Sequence, residues 1–589
     1  MTRRALLSLA FLFLVTALVI AISGGFVTSV LDRRVSARSP APAAAAAVLA
    51  AASWLVAARR GRAVIADLDW TWTVVERRAP ALVAAIAATS AALAVRFGTF
   101  SATGSDASGY LSEAALLWSR SLSYAEPLHA FVDWADGAST LVPSGWRSGL
   151  TAGTQVPSYA PGLPLLMAIP YGIAGTLGAC LVSAIAAGLG VWTCARLAMH
   201  TSRAAGVLAA ACLATSPTYL VQSFQPMSDV PATAAWTACW LLLARGTRAA
   251  SVPDARALLL FAGMLAALAV MIRPNLAPLA SLPAAYLLAL PAPSSSVRVN
   301  RILAFSIPVA VAGLVVAGLH WRWYGSPLMS GYGSAGELYA TAHVKANVTR
   351  YAGWLLAIES PLLLAAPLAA WRPRGSLWRW CLAFALVTAF GYCLYLVVEQ
   401  WTYLRFLLPA IAIGVATASA VVTSAADRLP SWSRGPALAL LILAVTVHGV
   451  VNARGLGVFS FADVHGRAIL AGHYLDTVLP ARAVIVAGEQ SGSIRYYTGR
   501  SIVRWDLILS GQLQAVLDTL VRAGHEPWIA LDAWEDEPFR QRHGDVPAGS
   551  LDWPPALDAG REMRTRAWRV SDRERFMEGT RVRTDRVRR

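Results

Sequence analysis

Long apolar runs recur along this chain and limit its fold more than any other feature. They continue to about residue 452, and each is close to the roughly 17–25 residues that a helix needs to cross a bilayer. Of the 589 residues, 56% are hydrophobic and 14% are charged, which is too apolar for a soluble protein of this size. The sequence therefore predicts an all-α polytopic membrane protein with about 13 transmembrane helices. The predicted spans are 5–27, 42–58, 79–96, 178–199, 204–222, 229–245, 256–272, 275–291, 302–319, 351–370, 378–398, 404–424 and 436–452, and the proline-containing segment 162–177 is predicted to be half-buried or re-entrant.

Arginines in the short connections predict the orientation. Most of them, such as Arg77 and Arg196, fall in loops that alternate along the chain, and we place those loops and the N-terminus in the cytoplasm. Only the arginines of 31–40 break the pattern. Loops 97–161 and 320–350, and everything after residue 452, are then predicted outside the cytoplasm, on the outer face of the inner (plasma) membrane. The net charge of +17 is thus explained by topology and does not indicate a nucleic-acid partner.

The composition divides the chain into three predicted regions. Residues 1–78 carry two helices ahead of a transmembrane core at 79–452. Residues 453–589 alternate strand-like and helix-like segments, which is typical of a small soluble α/β domain. The predicted strands are 482–489, 501–508 and 528–534, with a helix at 511–524. Eleven arginines and five acids among the last 29 residues predict a solvated or headgroup-contacting basic tail.

The first long loop begins with GSDASGYLSEAALL at 104–117. Offsets of four and seven residues put Asp106, Tyr110 and Glu113 on one face of a helix. A partly desolvated carboxylate at the water–lipid boundary is well placed to accept a proton from a hydroxyl. The alternative is that Asp106 caps the start of the helix.

Two other outer loops carry polar residues beside prolines. SFQPMSDVPATAAW (223–236) presents Asp229 at the start of a span, where capping is again the alternative. Acids from separate loops can converge over one cavity, where Asp106 and Asp229 are catalytic candidates that share the work of a base, or candidate ligands for a divalent metal ion, magnesium or manganese. In QVPSYAPGLPLL (155–166), Tyr159 is a candidate substrate contact in a rigid turn.

Basic and aromatic residues lie on the same predicted face. Arg273 borders a span in MIRPNLAP, where an arginine pairs with an acid, binds an anion or extends to the surface. A set of arginines and lysines near the bilayer surface is what a lipid-linked phosphate needs. The further candidates for substrate binding are Tyr324 and Tyr332 in YGSPLMSGYGSAGELY, Lys345 as the only lysine, and Tyr403 and Arg405 in YLRF.

These blocks, in this order, resemble the GT-C superfamily of membrane glycosyltransferases. They are most similar to the bacterial branch of glycosyltransferase family 39, which is related to the protein O-mannosyltransferases and the aminoarabinose–lipid A transferase. The matching segments cover roughly 79–424. They are SDASGYLSEA, YAPGLPLL, QPMSDVPA, IRPN, YGSPLMSGYG and YLRFLLPA.

The resemblance implies an enzyme that transfers a sugar from a polyprenyl-phosphate donor to a lipid, polysaccharide or protein acceptor outside the cytoplasm. It implies that Asp106 is the catalytic acid, acting as general base with inversion, and that Asp229 shapes the site or binds a metal. Arg273 and Arg405 match the positions that hold the donor phosphate. Many relatives have two adjacent acids at the first motif, whereas Ala107 follows Asp106 here, so Glu113 is the candidate for part of that role.

Two alternatives remain at the level of sequence. A transporter or flippase of lipid-linked sugars would line a path through the bundle with intramembrane charges and broken helices. A lipid-linked oligosaccharide ligase or polymerase would use a similar donor. The acids singled out here lie in outer loops, and few charges fall in mid-span, which favours chemistry over transport.

Overall fold

The computed structural model describes residues 3–588 except 24–25, 31–32, 38, 59–60, 250, 372–375 and 562. Three helices form the start of the chain, and a two-stranded antiparallel hairpin joins the first two. The side chains of 24–38, including the arginines that break the predicted pattern, lie outside the described part. These elements are α1 (Arg3–Ser23), β1 (Phe26–Val30), β2 (Arg33–Ala37), α2 (Ala41–Ala58) and α3 (Gly61–Phe97).

A buried carboxylate ties these first helices together. Asp67 of α3 is fully buried, and Nε1 of Trp54 in α2 donates to its Oδ2 at 3.3 Å. Arg3 and Arg4 of α1 pair with the same carboxylate at 3.2 and 3.5 Å. At 37 residues, α3 is about 55 Å long, which is well beyond the roughly 30 Å of a bilayer core.

The first long loop folds into its own small structure between α3 and the next long helix. The helix predicted from GSDASGYLSEAALL is present, and a three-stranded antiparallel sheet follows it. The elements are α4 (Gly104–Trp118), β3 (Tyr124–Ala125), a 3-10 helix (Pro127–Phe131), α5 (Gly137–Thr140), β4 (Trp146–Ser148) and β5 (Thr154–Pro157).

The membrane bundle occupies the middle of the chain. Its central helix, which continues the 3-10 segment Trp401–Leu407, is the most enclosed of the apolar helices. Small residues along it, such as Ala412, Gly414 and Ala416, let neighbouring helices approach closely. The helices are α6 (Gly162–Ala198), α7 (Arg203–Ala214), α8 (Pro217–Ser223), α9 (Asp229–Gly246), α10 (Val252–Ile272), α11 (Ser281–Ala289), α12 (Ser295–Tyr324), α13 (Ala335–Leu338), α14 (Val344–Ile358), α15 (Ser376–Cys393), α16 (Leu408–Ala426) and α17 (Ser431–Gly455), with 3-10 segments at Pro274–Ala280, Thr341–His343, Pro361–Trp371 and Trp401–Leu407.

Several predicted spans differ in detail from the helices observed. The segment 162–177 is joined to the next predicted span in α6, which breaks only at Ala174 and Gly175. The predicted spans 204–222 and 351–370 are bent pairs, α7 with α8 at 63° and Thr341–Ile358 with Pro361–Trp371 at 115°. Within the described residues, 7 helices are long and apolar enough to cross a membrane, or up to 9 with each bent pair as one span. The number of thirteen crossings stays a prediction.

The C-terminal region is a small α/β domain. Its six-stranded sheet has the order β11-β9-β10-β8-β6-β7, in which β6 pairs in parallel with both β7 and β8. The predicted strands and helix of this region are all present. Its elements are α18 (Phe461–His465), α19 (Arg467–Val478), β6 (Ala483–Ala487), α20 (Ser491–Thr498), β7 (Ser501–Arg504), α21 (Leu513–Arg522), β8 (Glu526–Asp532), α22 (Asp536–His543), β9 (Leu557–Ala559), β10 (Thr565–Arg569), α23 (Asp572–Met577) and β11 (Asp585–Val587), with 3-10 segments at Val458–Ser460, Trp505–Leu507 and Pro547–Ser550.

The fold class predicted from sequence, an all-α polytopic membrane protein with a small α/β domain at its C-terminus, is confirmed. The basic tail is a partial error. Residues 565–569 form β10, an inner strand between β8 and β9, and 585–587 form β11 at the edge. Strand pairing with residues far away in sequence outweighs the local charge density there.

Candidate functional site

Asp106 lies in the first turn of α4, where the chain leaves the bundle. The N-cap of this helix is Thr103, so capping does not explain Asp106. Instead, Nη2 of Arg405 donates to Oδ2 of Asp106 at 2.8 Å. The two side chains are 17% and 25% exposed, with Arg405 the more buried. Asp106 of the first loop and Arg405 of the YLRF segment, each predicted separately, are therefore in contact and remain partly open to solvent.

Asp229 is the first residue of α9, and its carboxylate is buried. Nη1 of Arg273 donates to Oδ1 of Asp229. Nη2 of Arg273 donates to the phenol oxygen of Tyr392 at 3.0 Å, and Nδ2 of Asn275 donates to the same oxygen at 2.8 Å. Arg273 therefore pairs with an acid inside the protein and does not extend freely to the membrane surface.

Phe406 connects the two ion pairs. The guanidinium carbon of Arg273 lies 5.3 Å from the centroid of the Phe406 ring, and that of Arg405 lies 5.4 Å from it. Tyr392 stacks on this ring with centroids 5.1 Å apart, and Arg405 also lies 5.2 Å from the Tyr403 ring. Aromatic faces attract guanidinium groups, so this cluster holds two cations close together at one end of the bundle.

Tyrosines form a second side of the site. The phenol of Tyr110 donates to Oγ of Ser228 at 2.9 Å. Its ring lies 4.7 Å from that of Tyr159, which in turn lies 5.8 Å from that of Tyr332. Burial, reinforced by the charge of Asp106, raises the pKa of Tyr110 and of Tyr159. Both phenols therefore stay protonated and can donate hydrogen bonds near neutral pH.

The position of α4 is fixed by two glycines. A side chain at Gly109 would collide with the Tyr159 ring, and one at Gly145 would collide with Gly109 Cα and with the carbonyl oxygen of Ser105. Gly145 also has a positive φ of 89°, which L side chains rarely adopt. Close backbone approach thus places Asp106 and Tyr110 in fixed register with the 155–161 turn.

The two long outer loops are joined by hydrogen bonds. The phenol of Tyr324 donates to the carbonyl of Pro157 at 2.6 Å, and Nε of Arg147 donates to the carbonyl of Gly331 at 2.5 Å. Tyr332, beside Gly331, is 51% exposed. Tyr324 thus holds the two outer loops together at Pro157, while the side chain of Tyr332 remains accessible to solvent.

Two predicted residues stand apart from this group. Lys345 is exposed on α14, in a shallow depression that Thr349 and Arg350 also line. Its ammonium makes no hydrogen bond or ion pair with any described residue. Glu113 is 1% exposed, and neither of its carboxylate oxygens has a hydrogen-bond partner in the described part of the chain. Burial raises the pKa of Glu113 well above its usual value.

The acids do not offer a good site for a divalent metal ion. Asp106 and Asp229 are each paired with an arginine, which occupies a carboxylate oxygen that an ion would need. Among the described residues, no group of three or more His, Cys, Asp or Glu side chains is arranged to hold a metal. We therefore assign no step to a metal ion.

The C-terminal domain packs against the loop that carries Asp106. The amide of Ala102 donates to the phenol oxygen of Tyr497 at 3.0 Å, and the amide of Gly104 donates to Oε1 of Gln490 at 3.4 Å. Arg495 pairs with the buried Glu126 at 3.0 Å. The start of α4 is therefore enclosed by the bundle on one side and by the C-terminal sheet on the other.

Sequence reasoning missed several residues of the site. Asn275 and Phe406 belong to motifs that were recognised, IRPN and YLRF, but were not singled out. Tyr392 lies inside a predicted span, where hydropathy gives no sign of a polar role. The role of its phenol becomes evident only from the structure, in which Arg273 donates a hydrogen bond to it.

Comparison with known proteins supports the predicted resemblance. Residues 158–323 match the family model of dolichyl-phosphate-mannose-protein mannosyltransferases. Over this segment the predicted resemblance to the protein mannosyltransferases is confirmed. The matched segment contains Tyr159, Asp229 and Arg273, whereas Asp106 and Arg405 lie outside it. No curated protein matches the chain.

Solved structures of this superfamily are also similar to the chain. ArnT from Cupriavidus metallidurans, bound to undecaprenyl phosphate, aligns with a TM-score of 0.48 at 12% identity, over 82% of this chain and 97% of that one. The Archaeoglobus fulgidus oligosaccharyltransferase with a tethered acceptor peptide aligns with a TM-score of 0.49 at 11% identity, over 80% and 72%. The arabinofuranosyltransferase AftD from Mycobacteria gives 0.44 at 17% identity, over 76% and 35%.

Proposed function

We propose that this protein is a multi-pass glycosyltransferase of the inner membrane that moves a sugar from a polyprenyl-phosphate donor to an acceptor on the extracytoplasmic face. The donor's lipid tail would lie between membrane helices of the core at 79–452. The helices of 1–78 would be an addition to that core, and 453–589 would be an extracytoplasmic domain. The acceptor would be a lipid, a polysaccharide or a protein.

One observation carries this proposal. Two aspartates from separate loops and two arginines from two further segments meet around Phe406, at the end of an apolar bundle. Two guanidinium groups held close together provide charge-assisted hydrogen bonds for a phosphate. A part-exposed carboxylate beside them provides a base. A phosphate leaving group and a hydroxyl nucleophile need this combination.

The proposed reaction is a single displacement at the anomeric carbon of the donor. The acceptor oxygen forms a bond to that carbon as the bond from the carbon to the phosphate oxygen breaks. Asp106 takes the acceptor proton, and the electron pair of the broken bond leaves on polyprenyl phosphate. Arg405 and Arg273 stabilise the charge that develops on the phosphate. The stereochemistry at the anomeric carbon is inverted.

The remaining predicted residues would bind or orient the substrate. Tyr110 and Tyr159 would donate hydrogen bonds from phenols that stay neutral, Tyr332 and Tyr403 would border the donor, and Tyr324 would support the loop beneath it. Lys345 would act only on the lipid-facing approach to the site. Asp229 would hold Arg273 in place. Glu113, which is buried and unpaired two turns from Asp106, would stay protonated and act as a neutral polar group behind the base.

The test uses purified protein in nanodiscs with radiolabelled polyprenyl-phosphate sugars that carry either one sugar or an oligosaccharide. Release of free polyprenyl phosphate is followed for the native chain and for Asp106→Asn. We expect turnover of at least one donor and a loss of about 10²–10⁴-fold in the variant. The size of the accepted glycan separates a simple transferase from an oligosaccharide ligase or polymerase. Full activity in a normally folded Asp106→Asn variant would refute the base assignment.

A second candidate, the translocation of lipid-linked sugars, has one observation in its favour. Glu359 lies at the 115° bend between Thr341–Ile358 and Pro361–Trp371. Its Oε1 accepts a hydrogen bond at 3.0 Å from Oγ of Ser216, at the break between α7 and α8. Broken helices that meet at a polar group are typical of transporters. This carboxylate is only 2% exposed, however, so it lines no open path in this conformation.

The two functions give different results in the same nanodiscs. Donor binding with no turnover, equal in the native chain and Asp106→Asn, would favour translocation. A lipid-scrambling assay with Glu359→Gln would then follow, and a loss of scrambling in that variant would establish it.

A further inference from the structure

The parallel part of the C-terminal sheet has a topological switch point. The chain runs from β6 through α20 to β7 on one side, then returns through α21 to β8 on the other side of β6. Because β6 and β8 are parallel neighbours, the loops that follow them leave the sheet at the same carboxyl edge. The two loops then lead away from each other. Crevices at such carboxyl edges are where open α/β sheets bind ligands.

This edge lies against the loop that carries Asp106. Oε1 of Gln490, in the loop after β6, accepts from the amide of Gly104. Oγ of Ser491 accepts from the amide of Ser144 at 3.0 Å. A Cβ atom at Gly492 would collide with the carbonyl oxygen of Ser144. This edge of the sheet thus packs beside the first turn of α4.

Glu489 is the exposed residue of the loop after β6. Its Oε1 lies 3.9 Å from the place that a side chain at Gly104 would take, two residues before Asp106. Its carboxylate has no hydrogen bond or ion pair with any described residue. Partial burial raises the pKa of Glu489, and the charges of Asp532 and Asp106 add to this effect against those of Arg504 and Arg467.

The loop after β8 adds an aromatic ring to the same edge. Trp534 is 51% exposed. Its neighbour Glu535 accepts a hydrogen bond at 3.0 Å from the amide of Glu489, which ties the two loops together. An unpaired carboxylate and an exposed indole on two loops that are joined to each other suit a sugar, because the carboxylate accepts hydrogen bonds from neighbouring hydroxyls while the ring packs on the apolar face.

We propose that Glu489 and Trp534 form an acceptor subsite for a carbohydrate, with one acceptor hydroxyl directed at Asp106. This inference rests on the proposed function and assigns the C-terminal domain its part in it. The acceptor lies across the junction of the two domains, with its nucleophilic hydroxyl toward α4 and the remainder on the C-terminal sheet.

The test measures how the enzyme divides its donor between water and an added acceptor. Nanodisc-embedded protein receives its polyprenyl-phosphate sugar together with a panel of methyl glycosides of hexoses and pentoses, or with a serine- and threonine-containing peptide. The readout is the ratio of glycosylated product to free sugar. We expect transfer to at least one methyl glycoside, and a fall of at least about tenfold in this ratio for Glu489→Gln and for Trp534→Ala.

Matched variants and outcomes separate this inference from the proposed function. Glu578→Gln removes an exposed acid of the same domain and should keep the native ratio. If the native chain releases no polyprenyl phosphate at all, the proposed function fails. If it turns over but transfers only to the peptide, or to no glycoside, the carbohydrate subsite is wrong. An unchanged ratio in both Glu489→Gln and Trp534→Ala, with glycoside transfer intact, also overturns it.

Discussion

The protein contains two kinds of aspartate–arginine pair, and they differ in how completely they are closed. In the C-terminal domain, Asp532 and Arg467 are 1% and 5% exposed. Arg467 donates to both carboxylate oxygens, at 3.2 and 2.8 Å, and Gln490 and Thr565 donate to them at 3.1 and 2.6 Å. At the mouth of the bundle, Asp106 receives one hydrogen bond from Arg405, and both side chains are part-exposed.

On the proposed function, this difference separates a structural pair from a reactive one. A buried carboxylate with four donors has no capacity left for a substrate, and any change there leaves a desolvated charge without its partner. An ion pair with one contact and access to solvent can exchange that contact for a phosphate or a hydroxyl. Similar residue types thus serve two purposes according to how many of their hydrogen-bonding positions are already filled.

The largest effect is expected at the closed pair. Asp532→Asn removes the charge that compensates Arg467, and breaking a buried pair costs about 3–5 kcal/mol of stability. We expect a large fall in the melting temperature of the C-terminal domain, measured by thermal unfolding with intrinsic fluorescence. Arg522→Gln is the control, because its pair with Asp133 is mostly exposed and should contribute at most about 1 kcal/mol. Equal effects of the two variants would contradict the comparison.

The open pair should respond in rate and not in stability. Arg405→Gln keeps much of the side-chain volume but removes the charge that we propose stabilises the leaving phosphate. We expect kcat/KM for the donor to fall about 10²–10³-fold, with a melting temperature close to native. Arg322→Gln, at an exposed arginine near the end of α12, should behave like the native chain. A large fall in the melting temperature of Arg405→Gln would instead assign Arg405 a structural role.

A smaller effect is expected at the tyrosines that lie beside the Asp106–Arg405 pair. Tyr110→Phe removes the phenol that donates to Ser228, an interaction worth about 0.5–1.5 kcal/mol. If that hydrogen bond positions the substrate, kcat/KM should fall about two- to tenfold. Tyr496→Phe removes a comparable bond, to Thr176 at 2.6 Å, away from the acid–arginine pairs. The prediction fails if both variants lose the same activity.

The smallest effect is expected from a metal chelator. Because each acid of the open site is already paired with an arginine, we expect turnover of the native chain to continue in EDTA. Added magnesium or manganese should not raise it. The measurement is polyprenyl phosphate release before and after dialysis against chelator. A loss of activity that magnesium or manganese restores would show that an ion displaces the arginines during turnover.

Sequence motifs predicted much of this site because charged residues are rare in the apolar part of this chain, so those that border a span stand out. Asp106, Asp229, Arg273 and Arg405 were all singled out from loops that are distant in sequence, and the fold brings them into two pairs. The motifs did not say which acid meets which arginine. That depends on the path of the chain between spans, which local patterns do not contain.

Helical spacing alone does not predict which residues of a stripe face the site. Asp106 and Glu113 share one stripe of α4, yet Asp106 is open at the helix start while Glu113 is buried two turns later. The spacing predicts the direction in which a side chain points, but it does not predict how deeply other residues bury that side chain. Lys345 was notable only because it is the single lysine, and rarity alone did not bring it to the acids.

The strands of the C-terminal end show the opposite case. The composition of 561–589 is basic enough to predict a solvated tail, but β10 pairs with β8, whose residues lie more than thirty positions earlier. The two arginines of β10 are matched by acids elsewhere in the domain, because Arg566 pairs with Asp536 and Arg569 pairs with Glu526. Net charge does not identify a tail when acids elsewhere in the fold match it.

The hydrogen bonds between Ala102 or Gly104 and the C-terminal domain have a consequence for biosynthesis. The partners of this early loop, Tyr497 and Gln490, leave the ribosome after every membrane helix has been made. Until then the first turn of α4 has no cover on that side. The native surroundings of Asp106 are therefore completed last. A chain truncated after α17 would insert into the membrane, but its first long loop would lack its contacts with the C-terminal domain.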